Sequence, residues 1–194
     1  MTTDSALPAR GRWIRATTLG WVLGFPLVIV LALAGEAIGI GGNQSLVGAA
    51  MGLGIGWMQG RALRTALGAP RRWIVATALG LALPFIIYDL SVALQRPLPY
   101  KLPYVVAIGG LCVGLWQSLI LRQQFRGIGL WIVASLAGCT LAAGAAFIAD
   151  VMQGSGLRGI AGALAFLGLA ALGGPVLGVV TGLALPRLAR RTRA

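Results

Sequence analysis

The sequence predicts an all-α transmembrane fold, with six helices arranged as three tandem two-helix hairpins that have pseudo-threefold symmetry about the membrane normal. Three observations predict it: a strongly apolar composition, charge-free stretches of membrane-spanning length, and a pattern that occurs three times. Of the 194 residues, 58% are apolar and 10% are charged, whereas soluble domains carry roughly 25% charged residues. This composition excludes a soluble globular domain and, because it is so hydrophobic, a disordered basic protein.

The charge-free stretches predict the six spans. A spanning helix needs about 20 apolar residues, and six stretches without Lys, Arg, Asp or Glu approach or exceed that length. They are 16–35, 37–60, 73–88, 102–121, 127–149 and 159–186. The third is interrupted by Asp89 but stays apolar to Leu94. The sixth is longer than a bilayer requires, so we expect it to be tilted or bent.

The basic residues predict the orientation. Thirteen of the sixteen lie at the termini and in the second and fourth connections, and the opposite side holds only Arg96, Lys101 and Arg158. The positive-inside rule places the basic side, with both termini, in the cytoplasm. We expect anionic lipid headgroups as partners on that face and no nucleic acid, because no separate basic domain presents the charge.

An internal repeat predicts the three hairpins. The segments that begin at Trp13, Trp73 and Trp131 share the pattern Trp-Ile-x-Ala-Thr/Ser-x-x-Gly, at spacings of 60 and 58 residues. The chain is therefore interpreted as one integral membrane domain, 1–194, with repeat units of about 13–68, 73–126 and 131–190. Units of two spans all insert in the same direction, which favours an axis along the membrane normal.

These residues also carry a resemblance to a family. The order Gly-x-x-Gln-x-x-x-Leu-Arg followed by the tryptophan segment resembles a repeated pattern in uncharacterised bacterial six-helix multi-pass membrane proteins. The matching residues are Gln59, Leu63, Arg64, Trp73, Ala76, Thr77 and Gly80, and Gln117, Leu121, Arg122, Trp131, Ala134, Ser135 and Gly138. The chain departs from the pattern at Thr181, where Gln is expected. It also departs at Leu81 and Cys139, where the pattern often has Trp. The resemblance implies a location in the bacterial inner membrane and six helices, and no activity.

Small residues recur every four positions in the even-numbered spans. The glycines expected in helix contacts are Gly48, Gly52, Gly56, Gly60, Gly110, Gly114, Gly174, Gly178 and Gly182. Such stripes let helix backbones approach closely in lipid. They are consistent either with tight intramolecular packing or with a narrow central path lined by glycine backbone.

Two sets of side chains recur at equivalent positions. Gln59, Gln117 and Thr181 each precede the last small residue of a stripe, and are interpreted either as interhelical hydrogen-bonding groups or as a polar ring at a pore mouth. Trp13, Trp73 and Trp131 begin the odd-numbered spans, where interfacial anchoring is the usual role of tryptophan.

Three acidic residues, Glu36, Asp89 and Asp150, follow the N-terminal tail, each in the outer half of an odd-numbered span. The helical rise places Asp89 deepest and the other two nearer the interface. A carboxylate inside a membrane is a candidate functional group because its insertion is costly, and the alternative is a paired interfacial charge. In the sixth span, Gly173-Gly174-Pro175 predicts a kink, either a static bend or a hinge.

The residues give little support for chemistry. There is no His, no phosphate-binding loop and no nucleophile with a base at a suggestive spacing, so we predict no catalytic, cofactor-binding or metal residues and no enzyme. Cys112 and Cys139 are expected to be small apolar packing residues. The predicted function is a non-enzymatic helix-packing subunit or accessory component of an inner-membrane assembly, with itself or other membrane subunits as partners. The alternative is a small transporter or channel with a path along the pseudo-threefold axis.

Overall fold

The computed structural model describes residues 7–68, 70–98, 102–154 and 159–190. In these ranges the regular secondary structure is helical apart from one short β pair, which confirms the all-α prediction. The helices are α1 (Arg10–Ala37), α2 (Gln44–Ala62), α3 (Arg64–Leu67), α4 (Pro70–Ala93), α5 (Leu102–Leu121), α6 (Ile128–Gly154), α7 (Gly159–Ala171) and α8 (Gly173–Ala184). A 3-10 turn, Leu185–Arg187, follows α8. Strand β1 (Phe125–Arg126) pairs antiparallel with β2 (Ala189–Arg190).

Four segments of the described chain are long and apolar enough to cross a membrane. They are Arg10–Ala37, Pro70–Ala93, Tyr104–Leu121 and Leu167–Arg187. Helix α6 adds a shorter apolar segment, Ile128–Gly144. Helix α2 is not among them, because its glycines add almost nothing to hydropathy and Gln44, Gln59 and Arg61 lower it. These segments are typical of a helical membrane protein.

The outer surface of the helices agrees with a lipid environment. Large apolar side chains are exposed along their length, including Ile29 at 62%, Leu79 at 49%, Val133 at 61% and Leu164 at 63%. A monomeric soluble protein rarely exposes apolar surface on this scale. Lipid chains would cover these side chains without the cost of hydrating them.

The long helices form a closed ring. Helices α1, α2, α4, α5, α6 and α8 contact one another in this order, and α8 also contacts α1. Two hydrophobic clusters fill the interior. One contains Trp13, Trp73 and Trp131, and the other contains Ile55 and Leu177. The first and last helices of the chain are therefore neighbours, and the candidate site lies inside the ring.

The small-residue stripes lie in the contacts between helices, where the backbones are close. Gly56, Gly114 and Gly178 each face the isoleucine that follows a repeated tryptophan. A Cβ on these glycines would lie 3.0, 3.0 and 3.1 Å from the Cα atoms of Ile74, Ile132 and Ile14, respectively. All nine glycines that the sequence assigns to helix contacts are buried. A larger residue at these positions would force the helix backbones apart.

The sixth stretch is interrupted where the proline predicts a bend. Helix α7 ends at Ala171 and α8 begins at Gly173, with Leu172 in a turn between them. Pro175 has no backbone N–H for the carbonyl of Ala171, so the regular hydrogen-bond ladder cannot continue there. The backbone N–H of Leu172 instead donates to the carbonyl of Leu169 at 3.1 Å, a 3-10-type contact.

Trp21 from α1 occupies this interruption. Its indole N–H donates to the carbonyl oxygen of Ala170 at 2.9 Å. A Cβ on Gly174 would lie 2.8 Å from the Cβ of Trp21, and one on Gly173 would collide with the indole ring. The two glycines therefore make room for the indole, whose N–H binds a carbonyl next to the break.

Candidate functional site

Three tryptophans form one aromatic cluster inside the ring. Trp13, Trp73 and Trp131 are 0%, 0% and 1% exposed, and their ring centroids lie 5.7 to 6.2 Å apart in edge-on arrangements. Aromatic pairs in this geometry contribute about 0.5 to 1.5 kcal/mol each beyond their burial. The prediction that these residues anchor the protein at the membrane interface is wrong, because the indoles point inward and contact one another.

Each of the three indole N–H groups has an acceptor on α2, α5 or α8. Trp73 donates to Oε1 of Gln59 at 3.1 Å and Trp131 donates to Oε1 of Gln117 at 3.0 Å. The third indole, Trp13, donates to Oγ1 of Thr181 at 2.9 Å. A buried indole N–H needs such a partner, since leaving it unpaired costs free energy.

Each of the two glutamine amides links the helices on either side of its own. While its oxygen accepts from Trp73 of α4, Gln59 of α2 donates through Nε2 to Oγ1 of Thr17 of α1 at 3.1 Å. Gln117 likewise donates to Oγ1 of Thr77 at 2.9 Å. Each amide thus uses its donor and acceptor sides on different helices, which fixes the orientation of the side chain.

The third copy of this arrangement is incomplete. Thr181 accepts from Trp13 and donates to the carbonyl of Leu177 at 2.6 Å, but threonine has no amide to extend toward the next hydroxyl. That hydroxyl belongs to Ser135, which is 2% exposed. In the described part of the chain its Oγ has no hydrogen-bond partner. An unpaired buried hydroxyl costs about 1 to 3 kcal/mol, so the short side chain at 181 leaves a local defect.

Gln59, Gln117 and Thr181, with the side chains to which they bond, form a polar ring. A small cavity lies beside it. Its volume is about 20 Å³, and its lining includes Gln59, Gln117, Ser135 and Thr181 together with apolar side chains from the second cluster. A volume of this size holds about one water molecule. The cavity is too small for an organic substrate, and the tryptophan cluster fills the adjoining part of the interior.

The site has hydrogen-bonding groups but offers little for chemistry. The side chains that line the cavity include no carboxylate, amine or imidazole, so no acid–base pair is present there. Among the described residues, no group of three or more His, Cys, Asp or Glu could hold a metal ion. The arrangement can hold helices in register, and it can hold one small polar molecule.

Asp89 lies elsewhere, at the opposite end of α2. Its Oδ1 accepts from the backbone N–H of Gln44 at 2.9 Å, and its Oδ2 accepts from the backbone N–H of Ser45 at 2.8 Å. The carboxylate therefore caps the start of α2 from α4, in place of the preceding Asn43, which makes no side-chain cap. Its charge also interacts favourably with the positive end of the helix dipole.

The remaining candidate residues are not part of the polar ring. Glu36 is exposed at the end of α1. Asp150 falls within α6, and its side chain lies outside the described residues. Pro175 lies at the interruption that Trp21 occupies.

Sequence reasoning alone does not join Thr17, Thr77, Ser135 and the tryptophans into one network. A signal for it is present, because Gln59 and Gln117 each precede the tryptophan to which they bind by 14 residues. Equal separations in two repeats indicate a shared contact.

Comparison of the chain with protein-family models, with curated proteins and with solved structures finds no match.

Proposed function

We propose that the chain crosses the bacterial inner membrane six times as three hairpins, related by an approximate threefold axis along the membrane normal, with both termini in the cytoplasm. Support comes from contacts that recur at equivalent residues. Gly56, Gly114 and Gly178 face equivalent isoleucines, and Trp73, Trp131 and Trp13 each donate to the preceding unit around the ring. The distribution of arginines supports the orientation.

Within that arrangement, the protein acts as a non-enzymatic helix-packing subunit or accessory component of a membrane assembly. One observation supports this more than any other: in the part of the ring interior lined by described residues, a buried tryptophan cluster and a hydrogen-bonded polar ring lie beside a cavity of about 20 Å³. A transporter needs a path or a substrate-sized site near the axis. The interaction of Trp21 with the break in the sixth stretch supports a static bend at Pro175.

The first test measures flux through the purified protein in liposomes. We expect leak of protons, potassium and small neutral solutes to match that of empty liposomes, whatever the protein density. A leak that rises with protein density would reject the subunit and favour the channel. In that case Trp73→Ala, which opens the tryptophan cluster, should increase the leak further.

The second test detects neighbours in intact membranes. A photoreactive amino acid at the exposed positions Leu79 or Leu164 should give discrete protein adducts, either with a second copy or with another subunit. Position Ile55, which is 2% exposed, is the matched control and should give none. Adducts with lipid alone at every exposed position would reject the role as a subunit.

The orientation has its own test. Reporter fusions after Asn43 and Leu98 should report the outer side, and those after Thr65 and Arg126 the cytoplasm. A cytoplasmic signal at Asn43 or Leu98 would reject the topology while leaving the other two tests intact.

A further inference from the structure

An open groove of about 620 Å³ runs between α1 and α2 at the arginine-rich end of the molecule. Four of its lining residues are basic and two more are apolar and accessible. They are Arg12, Arg15, Arg61 and Arg64, with Leu19 and Met58. The groove therefore joins a strongly cationic end to an apolar wall. Four guanidinium groups around one groove repel each other, and an anion between them would offset that repulsion.

The protein itself supplies no such anion in the described residues. Within them, no carboxylate pairs with these arginines, and Nε of Arg15 donates to the backbone carbonyl of Gly11 at 3.4 Å. The described carboxylates are at the other end: Glu36 is in the last turn of α1, and Asp89 caps the start of α2. The positive charge of the groove is thus uncompensated from within this part of the chain.

Comparison of the repeat units shows that two of the four arginines, Arg15 and Arg61, are specific to the first unit. They lie further from the arginine-rich end along their helices than Arg12 and Arg64. Arg15 is equivalent to Val75 and Val133, and Arg61 is equivalent to Leu119 and Leu183. These four apolar residues are exposed, at 54%, 61%, 43% and 43%, respectively. Each of these two positions on the outer surface is thus apolar in the second and third units and basic in the first. General attraction to a charged membrane surface would not need arginine at these two positions in one unit only.

We propose that this groove is a binding site for one acidic phospholipid, with the phosphate-containing headgroup among the four arginines and an acyl chain along Leu19 and Met58. Arginine suits this role because its guanidinium makes two parallel hydrogen bonds to phosphate oxygens. Leu19 is 56% exposed, so the apolar wall is open to a lipid chain. A soluble anion would use the charges but not this wall. The inference relies on the proposed membrane location but not on the role as a subunit.

The test compares lipid binding to purified protein in a neutral detergent, by native mass spectrometry and by thermal unfolding. Phosphatidylglycerol should bind and raise the melting temperature, whereas phosphatidylcholine and inorganic phosphate should not. Arg15→Val with Arg61→Leu, which copies the residues of the other units, should weaken phosphatidylglycerol binding about 25-fold, since each basic residue near an acidic headgroup contributes roughly fivefold.

The matched control removes the same charge from the second unit. Arg72→Leu with Arg122→Leu changes the positions equivalent to Arg12 and Arg64, and should leave the phosphatidylglycerol affinity within about twofold of the original. Equal losses in both double variants would mean general charge attraction and would overturn the site. If inorganic phosphate raised the melting temperature as much as phosphatidylglycerol, the proposal that the ligand is a lipid would be overturned.

A second variant covers the case in which the first does not fold. Arg15→Lys with Arg61→Lys keeps the charge but loses the paired hydrogen bonds, so it should fold and bind phosphatidylglycerol more weakly than the original. Unchanged affinity in this variant would reject the bidentate contact. Because the assay is done in detergent, the lipid site can be rejected without rejecting the topology or the subunit role. The topology or the subunit role can likewise be rejected without rejecting the lipid site.

Discussion

The indole N–H of Trp13 donates to the hydroxyl of Thr181 at 2.9 Å, although the two residues are 168 positions apart in the chain. This bond joins α1 to α8 and closes the polar ring. In the other two joints a glutamine spans the distance from an indole to a hydroxyl. Here Thr181 accepts from the indole and donates to the carbonyl of Leu177, so Ser135 is left without a partner in the described part of the chain.

We predict that Thr181→Gln stabilises the protein. A glutamine here can accept from Trp13 and donate to Ser135, as Gln59 and Gln117 do at the other two joints, and the adjacent cavity of about 20 Å³ gives part of the room it needs. The expected gain is about 1 kcal/mol in the free energy of unfolding, which thermal unfolding in detergent would measure.

A double-mutant cycle checks the cause of that gain. In the original protein, Ser135→Ala removes an unpaired hydroxyl and should be neutral or stabilising, whereas in the Thr181→Gln background it should cost about 1 kcal/mol. The same effect of Ser135→Ala in both backgrounds would show that the introduced glutamine does not reach Ser135.

The tryptophan cluster should depend on its hydrogen bonds as well as on its packing. Trp73→Phe keeps an aromatic ring but leaves Oε1 of Gln59 without its donor, so we expect a loss of about 1 to 3 kcal/mol. Trp73→Ala also opens a cavity and should cost about 3 to 5 kcal/mol. The control is Trp116→Phe, because Trp116 is 43% exposed. Stability losses of similar size for Trp73→Phe and Trp116→Phe would contradict the bond.

Asp89 should matter for stability through the start of α2. Asp89→Asn removes the charge from the cap and should lower the free energy of unfolding by about 0.5 to 1 kcal/mol, and Asp89→Ala by up to about 2 kcal/mol. Hydrogen exchange should rise first at the amides of Gln44 and Ser45. Glu36→Gln, at an exposed position, serves as control. Protection at those two amides that survives Asp89→Ala would rule out the cap.

Gly56 should tolerate no side chain of appreciable size. A Cβ there would lie 2.9 Å from the Cβ of Thr77 and 3.0 Å from the Cα of Ile74, so Gly56→Leu must separate α2 from α4. We expect a loss of at least about 3 kcal/mol or a failure to assemble, read by thermal unfolding and size-exclusion chromatography. Gly168→Leu is the control, since a Cβ at Gly168 meets nothing within 4 Å. Equal behaviour of the two variants would argue against the close contact.

Features that depend on spacing along one helix could be predicted from the sequence, and features that depend on a distant partner could not. The four-residue spacing from Gly48 to Gly60 is itself a helix face, so the buried stripe could be anticipated. The cap that Asp89 supplies could not, because the amides it binds lie 44 and 45 residues away. For the tryptophans, a position near a span boundary is typical of interfacial anchors, and only the rotation of each helix decides which way an indole points.

The contact between α8 and α1 also constrains the order in which the protein can be made. Translation completes α1 before α8 exists, so Trp13 lacks its Thr181 acceptor until the last helix of the ring has been made. A chain truncated after α6 would therefore keep the contacts among the earlier helices but leave the ring open between α6 and α1.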